Sequence, residues 1–270
     1  MISASPLPLD ILDQVSEQTK LCISRLAANG FDNTDISQYP RSAAVLVLLF
    51  EKAGQLRVLL TTRSKHLRTH PGQTALPGGR KDATDKDFIE TAFREANEEV
   101  ALPRHSPKVH ILGTLQPYIS QWGIRVSPVV AFLSDNSILE QLIPNPGEVD
   151  RIFDHPLEAI LDPQIVKNER LVPIGSEDWP YEHELYNNDD RIVPVLGNTA
   201  YRMHRFRSVA SPVKGLTADI LINVAEIAYS RSTAYERYAP GQVRGFANIS
   251  AMLDKGQAQN LPPEKHLPSV

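Results

Sequence analysis

The chain has 270 residues, 41% of them hydrophobic and 22% charged, which suits one globular domain with extensions better than two complete domains. Its formal net charge of -4, from 28 Lys and Arg against 32 Asp and Glu, argues against a general affinity for nucleic acid or an anionic membrane surface. Cys22 is the only cysteine, so an internal disulfide and a cysteine-based zinc site are excluded and a reducing compartment is the simpler home.

Residues 1–40 read as an N-terminal helical extension, with Leu12, Val15, Cys22, Ile23 and Leu26 at helical spacing and Gly30 as a stop. The opening MISASPLPLDILDQ lacks the basic stretch and apolar run of a targeting peptide, no apolar run has membrane-spanning length, and Pro268-Ser269-Val270 is not the Ser-Lys-Leu address. Cytoplasm is therefore expected, with peroxisome and mitochondrion left open. Ala43 to Phe50 and Leu56 to Thr62 are strand-like runs around a short polar connection, and predict a hairpin. A loop rich in Arg, Lys and His, Arg63 to Gly72, leads to Leu76-Pro77-Gly78-Gly79 and then to an acidic helix from Asp87 to Val100.

Val109 to Leu115 and Arg125 to Leu133 read as further strands of a mixed sheet, the second bulged or at an edge because of Pro128. Pro156 to Leu161 predicts a short helix. Asn168 to Asp190 reads as a polar, irregular surface insertion, within a variable stretch of about 167–198, ahead of a strand near Tyr201 to Phe206. Leu216 to Tyr229 is a strong helix, and 233–270 reads as a C-terminal tail, poorly ordered from Asp254 onward. The main domain is placed at 41–232, with no internal repeat.

On the acidic helix, Ile89, Phe93, Ala96 and Val100 form one apolar stripe, while Glu95, Glu98 and Glu99 share an arc beside it. Three carboxylates at spacings of three and four repel one another, and a hard divalent cation relieves that repulsion while leaving positions for phosphate oxygens. A solvated acidic face is the competing explanation, since like-charge pairs on a helix cost only a few tenths of a kcal/mol. The surroundings decide between them. Gly78 and Gly79 permit close backbone approach to a ligand, and Arg94 adjoins Glu95.

Read together, GGRKDATDKDFIETAFREANEEVAL resembles the Nudix box: Gly, five residues, Glu, seven residues, then Arg-Glu-aliphatic-X-Glu-Glu-X-Gly-aliphatic. Two departures stand out. Ala101 replaces the late glycine, and the interval from Gly79 to Arg94 is one residue long, so that counting forward reaches Asp85, counting backward reaches Lys86, and the early glutamate is missing. Asp82, Asp85 and Asp87 are the available acidic replacements or helix caps. Upstream, LLTTRSKHLRTHPGQTALPGG is similar to the signature of the coenzyme A pyrophosphatase branch of the Nudix hydrolases, matching it at Leu59, Leu60, Thr61, Arg63, Ser64, Arg68, Gly72, Pro77, Gly78 and Gly79, with Leu76 in place of an aromatic. That branch shares the longer aspartate-rich interval. Similarity continues in PNPGEVDRIFDHPLEAIL and KGLTADIL, where Lys214 departs from the usual Trp.

The resemblance implies a Nudix α/β/α sandwich with a mixed β-sheet, in the α/β class. It implies Mg2+ or Mn2+ held by Glu95, Glu98 and Glu99, and cleavage of coenzyme A or its acyl derivatives into adenosine 3',5'-bisphosphate and a phosphopantetheine. Arg94 is expected to orient a carboxylate, and Arg63 and Arg68, with Gly72, Gly78 and Gly79, to meet the substrate. The general base is a box glutamate or Glu148, which the turn-rich Asn145-Pro146-Gly147 could project over the site. Tyr118, Trp122 and Phe132 border a ligand pocket or fill the core. Expected partners are a small nucleoside diphosphate derivative and no nucleic acid, with a homodimer left open. Rival readings are an oxidised nucleoside triphosphate pyrophosphatase, a ligand-binding module of weakened turnover, and a structural interaction domain.

Overall fold

In the computed structural model, residues 14–194 and 198–259 are described. Helix α1 (Glu17–Asn29) begins at Ser16, whose side chain accepts from Thr19 N, and stops at Gly30, which takes a left-handed φ of 73°. Leu12, at the start of the predicted helical spacing, lies outside the described residues, as does the rest of 1–13. Strands β1 (Ser42–Lys52) and β2 (Gln55–Arg63) form the expected antiparallel hairpin. Short strands β3 (Thr74–Ala75) and β4 (Gly78–Arg80) follow, then α2 (Phe88–Val100), β5 (Val109–Thr114), β6 (Tyr118–Ile119), β7 (Arg125–Leu133) and β8 (Val149–Pro156).

The main sheet runs β3-β2-β1-β7-β5, with β8 on β2, β4 on β1 and β6 on β7. Among the named strands of the described residues β1 and β7 alone pair in parallel, so the sheet is mixed. Side chains alternate across it. Val47 and Leu49 of β1 with Val130 and Phe132 of β7 face a core that takes Cys22, Ile23 and Leu26 from α1 and Ala218, Leu221 and Ala225 from α3 (Gly215–Tyr229). Leu46, Leu48 and Phe50 with Val129, Ala131 and Leu133 face the other way, onto Ala92, Phe93, Ala96 and Val100 of α2. The result is a three-layer α/β/α sandwich whose central strands are buried on both sides, which is why they read as continuous apolar runs.

Three expectations need correction. Pro128 is not at an edge: β7 is flanked by β1 and β5, and the irregularity lies in β5, between Ile111 and Gly113. Leu115 N donates to Pro128 O at 3.0 Å just beyond the end of β5, so the proline's missing N–H falls where that ladder has already finished. The stretch read as an irregular insertion contains β9 (Tyr186–Val193), which pairs antiparallel with β10 (Thr199–Phe206), itself paired with β11 (Val213–Lys214) in a second, three-stranded sheet. It also buries Trp179 completely. Finally, the stretch read as a tail carries α4 (Phe246–Gln259), with Phe246, Ser250 and Leu253 buried and Asp254 paired to Arg125 at 2.9 Å. Residues 260–270 lie outside the described residues.

Candidate active site

The apolar stripe of α2 seats it on the sheet and turns its glutamates toward β4. Asp87 caps the helix by accepting from Glu90 N at 2.8 Å. The helix leaves through Ala101 in the left-handed region (φ 58°, ψ 25°), with Ala101 N donating to Asn97 O and Leu102 N to Ala96 O. The alanine thus performs the turn for which the box has glycine.

Arg94 organises the carboxylates. Its Nε and Nη2 donate to the two oxygens of Asp85 at 2.9 and 3.0 Å, Nη2 also donates to Arg80 O at 2.9 Å, and Nη1 reaches Glu95 at 2.9 Å and Glu98 at 3.1 Å. Asp85 is buried and accepts further from Thr91 Oγ1 and Asp82 N, each at 2.9 Å. The Arg94 guanidinium first, with these hydrogen bonds, holds the Asp85 carboxyl down at about 2. Of the three candidate aspartates, Asp85 therefore stands opposite Arg94, while Asp87 caps the helix.

Glu99 is buried to 7% exposure, with Gly78 N donating to it at 3.2 Å and the Arg63 guanidinium forming a longer ion pair, Nη1 at 3.8 Å. Burial outweighs both and pushes its carboxyl up to about 7. Burial also raises Glu95, and the charges of Glu95 and Glu148 add to the effect on Glu99. Glu98 is the exposed member, shared between Arg94 and Arg104. Gly79 is glycine for a local reason: a Cβ there would lie 2.4 Å from a Glu95 oxygen. At Gly78 a Cβ would strike Ala44 O at 2.4 Å and Val45 Cα at 2.7 Å.

The basic loop closes beside this cluster. Arg63 N donates to Gln73 O and Gly72 N to Arg63 O, and Gly72 takes a φ of 67°. Arg63 Nε is buried and has no acceptor among the described residues. Arg68 is exposed. Glu148 comes to the same loop through its backbone, Ser64 N donating to Glu148 O at 2.8 Å, while Asn145 Nδ2 holds its carboxylate at 3.1 Å. Phe132 belongs to the core, Tyr118 is half-buried and Trp122 is exposed.

Among the described residues no three His, Cys, Asp or Glu side chains are grouped so as to hold a metal ion, and Glu95 and Glu98 both accept from Arg94. The donor chemistry nevertheless suits a hard divalent cation. Glu95 and Glu99 are both raised first by burial, with Glu98 and Glu148 adding to the effect on Glu95 and Glu95 and Glu148 to that on Glu99, and among the described residues a backbone N–H and a distant guanidinium are what oppose it at Glu99.

A mixed sheet between helical layers, with a carboxylate-bearing helix docked behind a Gly-Gly strand, is the Nudix fold. Residues 40–173 match the family described as the NUDIX domain. The chain is 38% identical over 202 residues to "Nudix hydrolase 15, mitochondrial" of Arabidopsis thaliana, a match covering 74% of this chain and 63% of that protein. It is 32% identical over 193 residues to "Peroxisomal coenzyme A diphosphatase NUDT7" of Mus musculus, covering 72% of each. With the Nudix hydrolase NudL of Pectobacterium atrosepticum it shares 38% identity over 165 residues, 61% of this chain and 80% of that one. The chain belongs to the Nudix family, and spans less than two thirds of the length of the Arabidopsis relative. No helix of the described residues is long and apolar enough to cross a membrane.

Proposed function

We propose that the protein hydrolyses the pyrophosphate bond of coenzyme A or its acyl derivatives, releasing adenosine 3',5'-bisphosphate and an (acyl-)phosphopantetheine. The observation that carries the reading is Glu99, a buried carboxyl raised to about 7 beside Gly78 and beside Arg63, whose Nε is buried with no acceptor among the described residues. That is a place with unspent demand for both a cation and an anion. Similarity to a mouse coenzyme A diphosphatase and the loop from Arg63 to Gly72 support the choice of substrate.

Glu95, Glu98 and Glu99 would hold Mg2+ or Mn2+, which when bound acidifies a water and neutralises phosphate oxygens. Arg94, braced by Asp85, sets the positions of Glu95 and Glu98. Arg63 and Arg68 grip substrate phosphates through charge-assisted hydrogen bonds, and Gly78 and Gly79 admit them close to the backbone. Glu148 takes the proton as the water oxygen attacks phosphorus, and the bond from phosphorus to the bridging oxygen breaks with the leaving phosphate.

Incubating the purified protein with Mg2+ and separate panels of coenzyme A, acyl-coenzyme A, nucleoside triphosphates and dinucleotides, with products identified by mass, tests the reading. Predominant triphosphate hydrolysis overturns the substrate. Glu98→Gln should lower turnover roughly a hundredfold or more with the thermal transition unchanged, because it removes a ligand from an exposed position. Near-normal turnover in that variant rejects the metal assignment.

A further inference from the structure

Trp122 is 59% exposed, on the turn between β6 and β7, yet its side chain is not loose. The turn is closed by Ser120 N donating to Ile124 O at 2.9 Å and Gly123 N to Ser120 O at 2.8 Å, and Ser120 Oγ accepts from Trp122 N and Ile124 N. The indole Nε1 donates to His70 Nε2 at 3.1 Å, with the rings edge to face, 6.4 Å apart at 69°. Accepting at Nε2 leaves the His70 proton on Nδ1, which donates to Gln73 Oε1 at 3.1 Å. His70 itself sits at a φ of 53°, a left-handed conformation that costs a residue with a Cβ and is kept here by these two bonds.

An exposed aromatic face locked at both ends is arranged for contact, and its neighbours say with what. Gln73 O accepts from Arg63 N, and Arg63 reaches Glu99, so the indole is joined through His70, Gln73 and Arg63 to the buried carboxylate. Arg68, two residues before His70, is exposed with no ion pair among the described residues. A flat apolar face hydrogen-bonded to the loop that carries Arg63 and Arg68 complements a nucleotide, base on the ring and phosphates on the arginines. We propose that Trp122, positioned by His70, is the platform on which the purine ring of the substrate stacks, and that it determines selectivity for the nucleotide half of the molecule. The proposal rests on the substrate reading above and supplies the part of the site that recognises the base.

Trp122 and Trp179 are the only tryptophans, and Trp179 is fully buried, so fluorescence quenching by soluble ligands reports on Trp122. Titrating the protein with adenosine 3',5'-bisphosphate should quench emission, whereas ribose 5-phosphate should not, and Trp122→Leu should abolish the response. In steady-state assays Trp122→Leu should raise KM for coenzyme A about tenfold with kcat nearly unchanged, and Trp122→Phe should restore most of the affinity. Equal quenching by ribose 5-phosphate, an unchanged KM in Trp122→Leu, or concentration-dependent self-association that Trp122→Leu removes would each overturn the platform. Quenching by the nucleotide without any hydrolysis of coenzyme A rejects the substrate reading alone. Hydrolysis of coenzyme A with KM indifferent to Trp122 rejects the platform alone.

Discussion

Asp85 and Arg94 form a bidentate pair in which the carboxylate side chain is 3% exposed, and breaking it strips Arg94 Nε of its acceptor while leaving Nη1 on Glu95 and Glu98. Asp85→Asn should destabilise the fold by about 3 kcal/mol and lower turnover by releasing Arg94 from its brace, measured by denaturant unfolding and by assay. Because the folded Asp85 carboxyl is held at about 2, below its ordinary 3.8, its contribution is present above the ordinary value and is lost as pH falls through about 2. Asp85→Asn should therefore flatten the loss of stability between those values; an unaltered acid limb rejects the assignment. Ala101 offers the opposite case. An alanine at φ 58° carries a strain that glycine does not, so Ala101→Gly should stabilise by about 1 kcal/mol in thermal melts. In sequence both positions are departures from a pattern, and the chain offers Asp82, Asp85 and Asp87 alike. Which one meets Arg94 depends on how the segment before α2 folds back, which residue spacing does not encode.

At the level of elements, β4 brings two glycines to one place for different reasons, and the two should be separable. A methyl at Gly79 meets the far end of the Glu95 side chain, which can swing away, whereas one at Gly78 meets the backbone of β1 at Ala44 and Val45. Gly79→Ala should therefore keep its melting temperature and lose activity, while Gly78→Ala should lose stability by roughly 2 kcal/mol or more, read from paired melts and assays. Equal destabilisation of both would contradict this division. The strands and helices whose periodicity is long, β1, β2, β7, α2 and α3, were legible within a residue or two of their ends. β9 and α4 were not: Tyr186–Val193 is rich in Asn, Asp and Arg, and its polar face is stabilised by pairing to β10, while α4 draws its order from burial of Phe246 and Leu253 and from the Arg125–Asp254 pair.

For the molecule as a whole, the sheet and its two cores bury a histidine with both ring nitrogens unmet among the described residues. It is His155 of β8, 1% exposed. Burial lowers its pKa from 6.5 to about 4, so the folded protein resists a proton that the unfolded chain accepts. No penalty applies above the ordinary value; stability falls as pH drops through 6.5 toward 4, by something on the order of 3 kcal/mol. His155→Leu should raise the melting temperature more at pH 5 than at pH 8, since it removes both the unpaired nitrogens and the titration. A gain that is the same at both pH values would show that the histidine is not what titrates.

By itself the sequence carried the apolar runs of β1, β2 and β7 and the apolar stripe of α2, which are local patterns, while the α/β/α layering followed from the resemblance of the box to its family. It also carried the carboxylate trio, the Arg94 beside it and the basic loop before it, since these are contiguous in the chain. Tertiary structure alone decided how deeply Glu99 is buried, which aspartate serves Arg94, where Pro128 could be tolerated and that Trp122 rests on His70. Each of these depends on the distance between segments far apart in sequence, and desolvation and hydrogen-bond pairing are set by that distance and not by residue order.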